Sequence, residues 1–174
     1  ARRNRQKKSP VAAVCSVLGT LLLIIIVAAY LPITIPRAFG YEIYTVISGS
    51  MEPAIPTGSL VYVEHVAPED IEEGDVIAFY DAVDVASVIT HRVVTNSTVM
   101  GEFVTKGDAN EANDMRPIPY SYLIGRVRMS VPELGALAQI FTSNAGKLAA
   151  ASALGLCVVL HLLAALLRKK QENS

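Results

Sequence analysis

The pattern of apolar and polar positions divides the chain into three regimes. Val11 to Ile35 runs 25 residues without a charge, built mostly from Leu, Ile, Val and Ala, which is enough for a helix to cross a bilayer. Pro32 and Pro36 are expected to mark its exit, with Arg37 the first charge beyond. From Tyr41 to Pro132 the pattern changes to short β-type runs punctuated by Gly, Pro and Asp. Strands are predicted over Tyr41–Ile47, Ser59–Val66, Asp75–Tyr80, Val88–Val94, Phe103–Lys106 and Leu123–Val131, with Met115–Pro119 among the separators. Leu134, Leu137, Ile140 and Phe141 then recur at helical spacing, predicting a short amphipathic connector helix. Leu148 to Leu167 is a second apolar run, 20 residues long and interrupted only by His161.

These elements predict a mainly β fold: a small antiparallel, barrel-like domain with two flanking transmembrane α-helices. The expected divisions are a basic tail at 1–10, a transmembrane helix at 11–35 and a β-rich domain at 36–132. A membrane-proximal connector at 133–147, a second transmembrane helix at 148–167 and a tail at 168–174 complete the chain. A cleavable signal peptide is the rival reading of the first run. That run is long for a signal core and lacks a clean small-x-small site, so an uncleaved anchor is expected. A lone His161 with no ionisable neighbour in its run reads as a packing or helix-contact residue.

Charge adds orientation. Eight of the 15 basic residues lie in the tails, against only Glu172 of the 16 acids, so the middle carries a net charge near −8. Basic clusters outside both apolar runs put both termini on the cytoplasmic side and the acidic β domain on the other. An acidic middle excludes nucleic acid as the expected partner. Cys15 and Cys157 sit in apolar runs at opposite ends and read as small packing residues. No metal-ligand spacing is present, and no cofactor is expected.

The candidate chemistry lies in three stretches of the β domain. Ser48-Gly49-Ser50-Met51-Glu52-Pro53 offers two hydroxyls around a glycine, closed by a proline. A nucleophilic serine needs such an exposed, closely approachable backbone, although Ser and Gly are also ordinary turn residues. In Ile89-Thr90-His91-Arg92-Val93, alternation puts Ile89, His91 and Val93 on one strand face. His65, at a strand end among acidic residues, reads as exposed and uninvolved. Thr105-Lys106-Gly107-Asp108 through Asp114, where a strand ends and the glycine turns the chain, reads as an Asx-rich loop whose spacing does not match an EF-hand. Serine is a poor nucleophile unless a base takes its proton; imidazole suits that task, and a carboxylate fixes its tautomer.

Taken together, Ser48–Pro53, Gly74-Asp75-Val76-Ile77-Ala78-Phe79, His91-Arg92-Val93, and Lys106-Gly107-Asp108 with Asp114 resemble the type I signal peptidases of peptidase family S26. Bacterial housekeeping members use a lysine base; His91-Arg92 stands where they carry Lys-Arg, which resembles the Ser-His-Asp branch of archaea, the endoplasmic reticulum and some Gram-positive bacteria. The resemblance implies Ser50 as nucleophile, His91 as general base and Asp114 as its supporting carboxylate. Asp108 is the other family aspartate. Which of the two aspartates touches His91 is left open. Ser48, with the Ser50 backbone N–H, is expected to hold the oxyanion. Met51 and Ile47 are expected substrate-binding positions, and Lys106 is not the lysine base.

The implied activity is removal of signal peptides from exported precursors after small-x-small sites, the substrate bound as an extended strand. Expected partners are those signal peptides and the lipid bilayer, with the secretion translocon or accessory subunits as further candidates. The implied location is the cell membrane, multi-pass, with an extracytoplasmic catalytic domain; the endoplasmic reticulum membrane with a lumenal domain is the alternative. Two rival functions stay open: a peptidase dedicated to a few fibre or pilin-like precursors, and a non-catalytic membrane-anchored assembly subunit. Asn96-Ser97-Thr98 is a glycosylation acceptor pattern in the β domain.

Overall fold

The computed structural model describes residues 10–82, 84 and 86–172. The basic cluster Arg2, Arg3, Arg5, Lys7 and Lys8 lies outside the described residues, as do Asn173 and Ser174. The chain forms two compact units: a β-rich one from Ile33 to Gln139, and a helical one from the segments up to Pro32 and from Ile140 onward.

The β unit is one seven-stranded sheet. Its strands are β1 (Glu42–Thr45), β2 (Leu60–Glu64), β3 (Val76–Tyr80), β4 (Val88–Ser97), β5 (Glu102–Lys106), β6 (Ile118–Pro119) and β7 (Leu123–Val131). They lie in the order β1-β2-β7-β3-β4-β5-β6, each neighbouring pair antiparallel, and curl into a half-barrel. The register shifts between Tyr62 and Val63, Ala78 and Phe79, and Val93 and Thr95. Such bulges raise the local twist and bend their strands.

The mainly β fold with flanking helices is thus as expected, and the six anticipated strands are β1 to β5 and β7. The seventh, β6, falls in a stretch expected to be only a separator. Ile118 pairs opposite Phe103 and Pro119 opposite Glu102 at the sheet's edge. An edge strand tolerates proline because its outer side needs no N–H donor, and two residues are too few to show a period of two.

Alternation along β3 explains the core. Ile77 and Phe79 join Ile71, Val93, Phe103 and Ile118 in one apolar cluster, while Ala78 joins Val61, Val63 and Ile124 in another. That second cluster also takes Val46, Met51 and Ile55, so the serine-bearing loop between β1 and β2 is fastened to the sheet by its own apolar residues. Helix α2 (Leu134–Thr142), the anticipated connector helix, meets the end of that loop: the Gly135 N–H donates to the Gly58 carbonyl at 3.0 Å.

Helix α1 spans Pro10–Ala38, so the two prolines expected at its exit lie inside it. Each removes one N–H donor without ending the helix, which stops at a glycine instead. Gly40 adopts φ 85°, its N–H donates to the Arg37 carbonyl at 3.1 Å, and the Tyr41 N–H reaches the Pro36 carbonyl at 3.1 Å. This is a Schellman motif, and a side chain at Gly40 would strain the left-handed turn.

In the helical unit, α1 packs with α3 (Asn144–Glu172). Buried and half-buried positions recur alternately at three and four residues: Ala12, Cys15, Gly19, Leu22, Ile26 and Ala29 on α1, and Gly146, Ala150, Ala153, Cys157, Leu160, Ala164 and Leu167 on α3. A 3.5-residue repeat rich in small side chains is the seam of two closely paired helices. His161 has the helix-contact place expected of it: its ring fills the space beside Gly19, and its Nδ1–H donates to the Cys157 carbonyl at 2.8 Å. Both cysteines are free and serve the seam as packing residues. Each helix is long and apolar enough to cross a membrane.

Candidate active site

The serine loop is a series of short turns anchored at both ends. The Val46 N–H donates to the Ser59 carbonyl at 2.9 Å and the Gly58 N–H to the Val46 carbonyl at 2.8 Å. Glu52 braces the interior, accepting from the Thr57 hydroxyl at 3.0 Å. Met51, expected to bind substrate, is fully buried at 0% exposure in the core cluster. Its side chain is the anchor that pins the neighbouring Ser50 to the sheet. Ile47 is 81% exposed beside the exposed Ser48. The Ser48 and Ser50 hydroxyl oxygens lie 3.4 Å apart, with Ser50 half-buried.

His91 sits in β4 opposite Ile77, with the Phe79 ring edge-on at 6.3 Å. It is buried at 9% exposure, and its Nδ1 lies 2.6 Å from Asp114 Oδ2. A carboxylate oxygen accepts, so Nδ1–H is the donor, and in the neutral ring Nε2 is then the acceptor. That Nε2 points toward Gly107, where an added Cβ would lie 3.0 Å from it and 2.6 Å from the Ser50 carbonyl oxygen. The serine backbone and the free ring nitrogen therefore face one another across a glycine. The Ala109 N–H donates to the same Ser50 carbonyl at 2.9 Å, tying the 107–114 loop to the serine loop.

The two aspartates of that loop have different partners. Asp114 takes His91. Asp108 accepts from Arg92 through Nε at 2.8 Å and Nη2 at 2.6 Å, while Arg92 Nη1 donates to the Gly74 carbonyl at 2.7 Å. The Arg92 hydrogen bonds hold the Asp108 carboxyl below its ordinary range against the opposing effect of burial, helped by the Arg92, His91 and Lys106 charges. The same bond holds Arg92 more firmly protonated than usual. A side chain at position 92 without these N–H donors would release both the loop and the turn before β3.

His65 lies apart, exposed as expected, but it is not idle: its Nε2 is 2.8 Å from Glu42 Oε1, and the Tyr44 hydroxyl donates to the other Glu42 oxygen. Asn96 is also occupied. Its Nδ2 donates to the Pro68 and Ile71 carbonyls at 2.9 and 2.8 Å, and its Oδ1 accepts from Tyr120.

Sequence reasoning passed over three residues of this site. Arg92 stood in a motif without a structural role, Gly107 was read only as a turn residue, and Thr105 only as the start of the loop stretch. The signal for Thr105 was available: it alternates with Phe103 on β5 and is a polar residue on the inward face, fully buried.

The family described as "Signal peptidase, peptidase S26" matches residues 17–98, a stretch that holds Ser48, Ser50 and His91 and stops before Asp108 and Asp114. Signal peptidase complex catalytic subunit SEC11 of Ogataea parapolymorpha is 31% identical over 122 residues, 59% of this chain and 68% of the relative. The chain belongs to the peptidase S26 signal peptidase family.

Signal peptidase I W of Bacillus subtilis (strain 168) is 42% identical over 87 residues, 48% of this chain and 44% of that protein. Signal peptidase complex catalytic subunit SEC11C of Homo sapiens is 31% identical over 106 residues, 53% of each. The match thus spans about half the length of these two relatives. They stand on the Ser-His-Asp side of the S26 family, the side that His91-Arg92 pointed to.

Proposed function

We propose that this chain is a membrane-bound serine endopeptidase that removes signal peptides from exported precursors after small-x-small sites. The observation that carries the reading is His91, its Nδ1 on Asp114 and its Nε2 turned toward the Ser50 loop. Family membership gives the reaction class.

In the proposed mechanism Ser50 Oγ attacks the scissile carbonyl carbon while His91 Nε2 takes its proton. The imidazolium is stabilised by Asp114, and the tetrahedral oxyanion is held by the Ser48 hydroxyl and the Ser50 N–H. His91 returns the proton to the leaving amine, which departs and leaves an acyl-enzyme on Ser50. Water, deprotonated by His91, then attacks the acyl carbon, the bond to Ser50 Oγ breaks as His91 returns the proton to that oxygen, and the signal peptide leaves with its new carboxylate.

The two apolar helices support a multi-pass membrane location. On this reading α1 and α3 span the bilayer, both termini are cytoplasmic, and residues 36–132 form the catalytic domain on the opposite side. Signal peptides inserted as helices would reach such a site by lateral diffusion. Incubation of the detergent-solubilised chain with a precursor carrying an Ala-x-Ala site tests the proposal. Wild type should cut after the second alanine, and Ser50→Ala and His91→Ala should fall to background. Full activity in either variant would overturn it.

A further inference from the structure

Asp114 Oδ2 has a second hydrogen-bond donor. Thr105 Oγ1 lies 2.6 Å from it, the same distance as His91 Nδ1, and the Asp114 N–H donates back to the Thr105 carbonyl at 2.8 Å. One β5 residue therefore grips both the side chain and the backbone of Asp114.

Resting on the Ser50-His91-Asp114 reading above, we propose that Thr105 is a positioning residue for the reaction, holding the Asp114 carboxylate in the orientation that directs His91 Nε2 toward Ser50. Three observations support it. Thr105 is 0% exposed and stands opposite Val93, in surroundings where a valine of the same shape would avoid the cost of burying a hydroxyl. That hydroxyl has a carboxylate for its acceptor, which makes the bond one of the stronger kind. Its β-branched side chain also restricts χ1, so the donor is aimed by the strand and not by the loop. Asp114 needs such an anchor because it stands at the end of the irregular 107–114 segment, whereas His91 and Thr105 lie on paired strands.

The shared oxygen gives Thr105 an electrostatic effect that simple packing lacks. Its donated proton withdraws charge from Oδ2 and so weakens the pull of Asp114 on imidazolium. Among the described residues, Asp108 is the other charge that interacts with His91; it is paired with Arg92 and also feels Lys106 on β5. Its neighbours on β3 are the apolar Ile77 and Phe79, and the serine loop brings Ser50.

The test is the pH profile of kcat and KM for precursor cleavage by the full chain carrying Thr105→Val, Thr105→Ser or Thr105→Cys, with Asp114→Asn alongside. Loss of a hydrogen bond to a charged group corresponds to a fall of roughly ten- to a hundredfold, here expected in kcat with KM little changed. The acidic limb should move to higher pH in Thr105→Val, since His91 must be neutral to act and a stronger Asp114 charge keeps it protonated longer. Thr105→Ser should recover most of the rate. Wild-type kcat and an unmoved limb in Thr105→Val, with Asp114→Asn impaired, would overturn the role of Thr105 while leaving the triad standing. An unimpaired Asp114→Asn would instead overturn the triad reading itself. If Thr105→Val fails to fold, the weaker thiol donor of Thr105→Cys makes the same comparison: an intermediate rate with a shifted limb supports the proposal, and a wild-type profile contradicts it.

Discussion

Arg92 and Asp108 meet in a two-pronged ion pair one residue along β4 from His91, with Nε and Nη2 of the guanidinium on separate carboxylate oxygens at 2.8 and 2.6 Å. The third nitrogen reaches the Gly74 carbonyl, so one side chain joins the turn before β3, strand β4 and the 107–114 loop. Planar two-point recognition of this kind is a property of arginine that lysine does not reproduce.

Asp108 therefore links stability to pH. Its folded pKa lies below the ordinary aspartate value near about 3.9, so its contribution is present in full above that value and is lost as pH falls through the lowered one. Asp108→Asn should lower Tm at neutral pH and flatten the decline of Tm below about pH 4. Thermal unfolding of both proteins across acidic pH measures this, and parallel Tm–pH curves would contradict it.

Gly107 separates the serine loop from the histidine. A methyl group there would lie 2.6 Å from the Ser50 carbonyl oxygen and 3.0 Å from His91 Nε2. The first neighbour is backbone, held by Ala109, and cannot swing away. Gly107→Ala should cost about 1–3 kcal/mol of stability, as overpacking does. It should also reduce precursor cleavage more than Tm alone accounts for, which parallel unfolding and activity assays resolve.

Asn96 acts as a clamp and not as a free acceptor. Both donated bonds from Nδ2 secure the turn Pro68–Asp70 and the following Ile71, and Tyr120 holds its carbonyl end. Asn96→Ala should destabilise the domain by about 1–3 kcal/mol through unsatisfied buried groups, with the site's kcat unchanged at temperatures where it stays folded. The folded protein should resist enzymatic glycosylation at this position, read as an unchanged mass.

Much of this was legible from the residues. The two apolar runs, five of the six predicted strands in outline and the whole of β7 follow from periodicity, because one-sided burial writes itself into alternation. Helix α1 outran its expected end because proline deletes single hydrogen bonds, whereas the left-handed turn that stops the helix depends on Gly40 three residues on from Arg37. Ser50, His91 and Asp114 were nameable from their motifs, but the choice between Asp108 and Asp114 was not. Both stand in one loop, and only the path of that loop decides which carboxylate passes His91 and which meets Arg92. The burial of Met51 was hidden for the same reason: sequence puts it next to the serine but does not say to which side of the loop it turns.

The proposed function rests on His91 acting as the base at Ser50 and taking its orientation from Asp114. Its most direct test compares kcat for precursor cleavage in Asp114→Asn and Asp108→Asn at pH 7. We expect Asp114→Asn to fall by roughly 10³- to 10⁴-fold, the scale seen when a triad carboxylate is neutralised, and Asp108→Asn to retain far more activity once its lower stability is allowed for. Near-normal turnover by Asp114→Asn together with an inactive but folded Asp108→Asn would contradict the assignment.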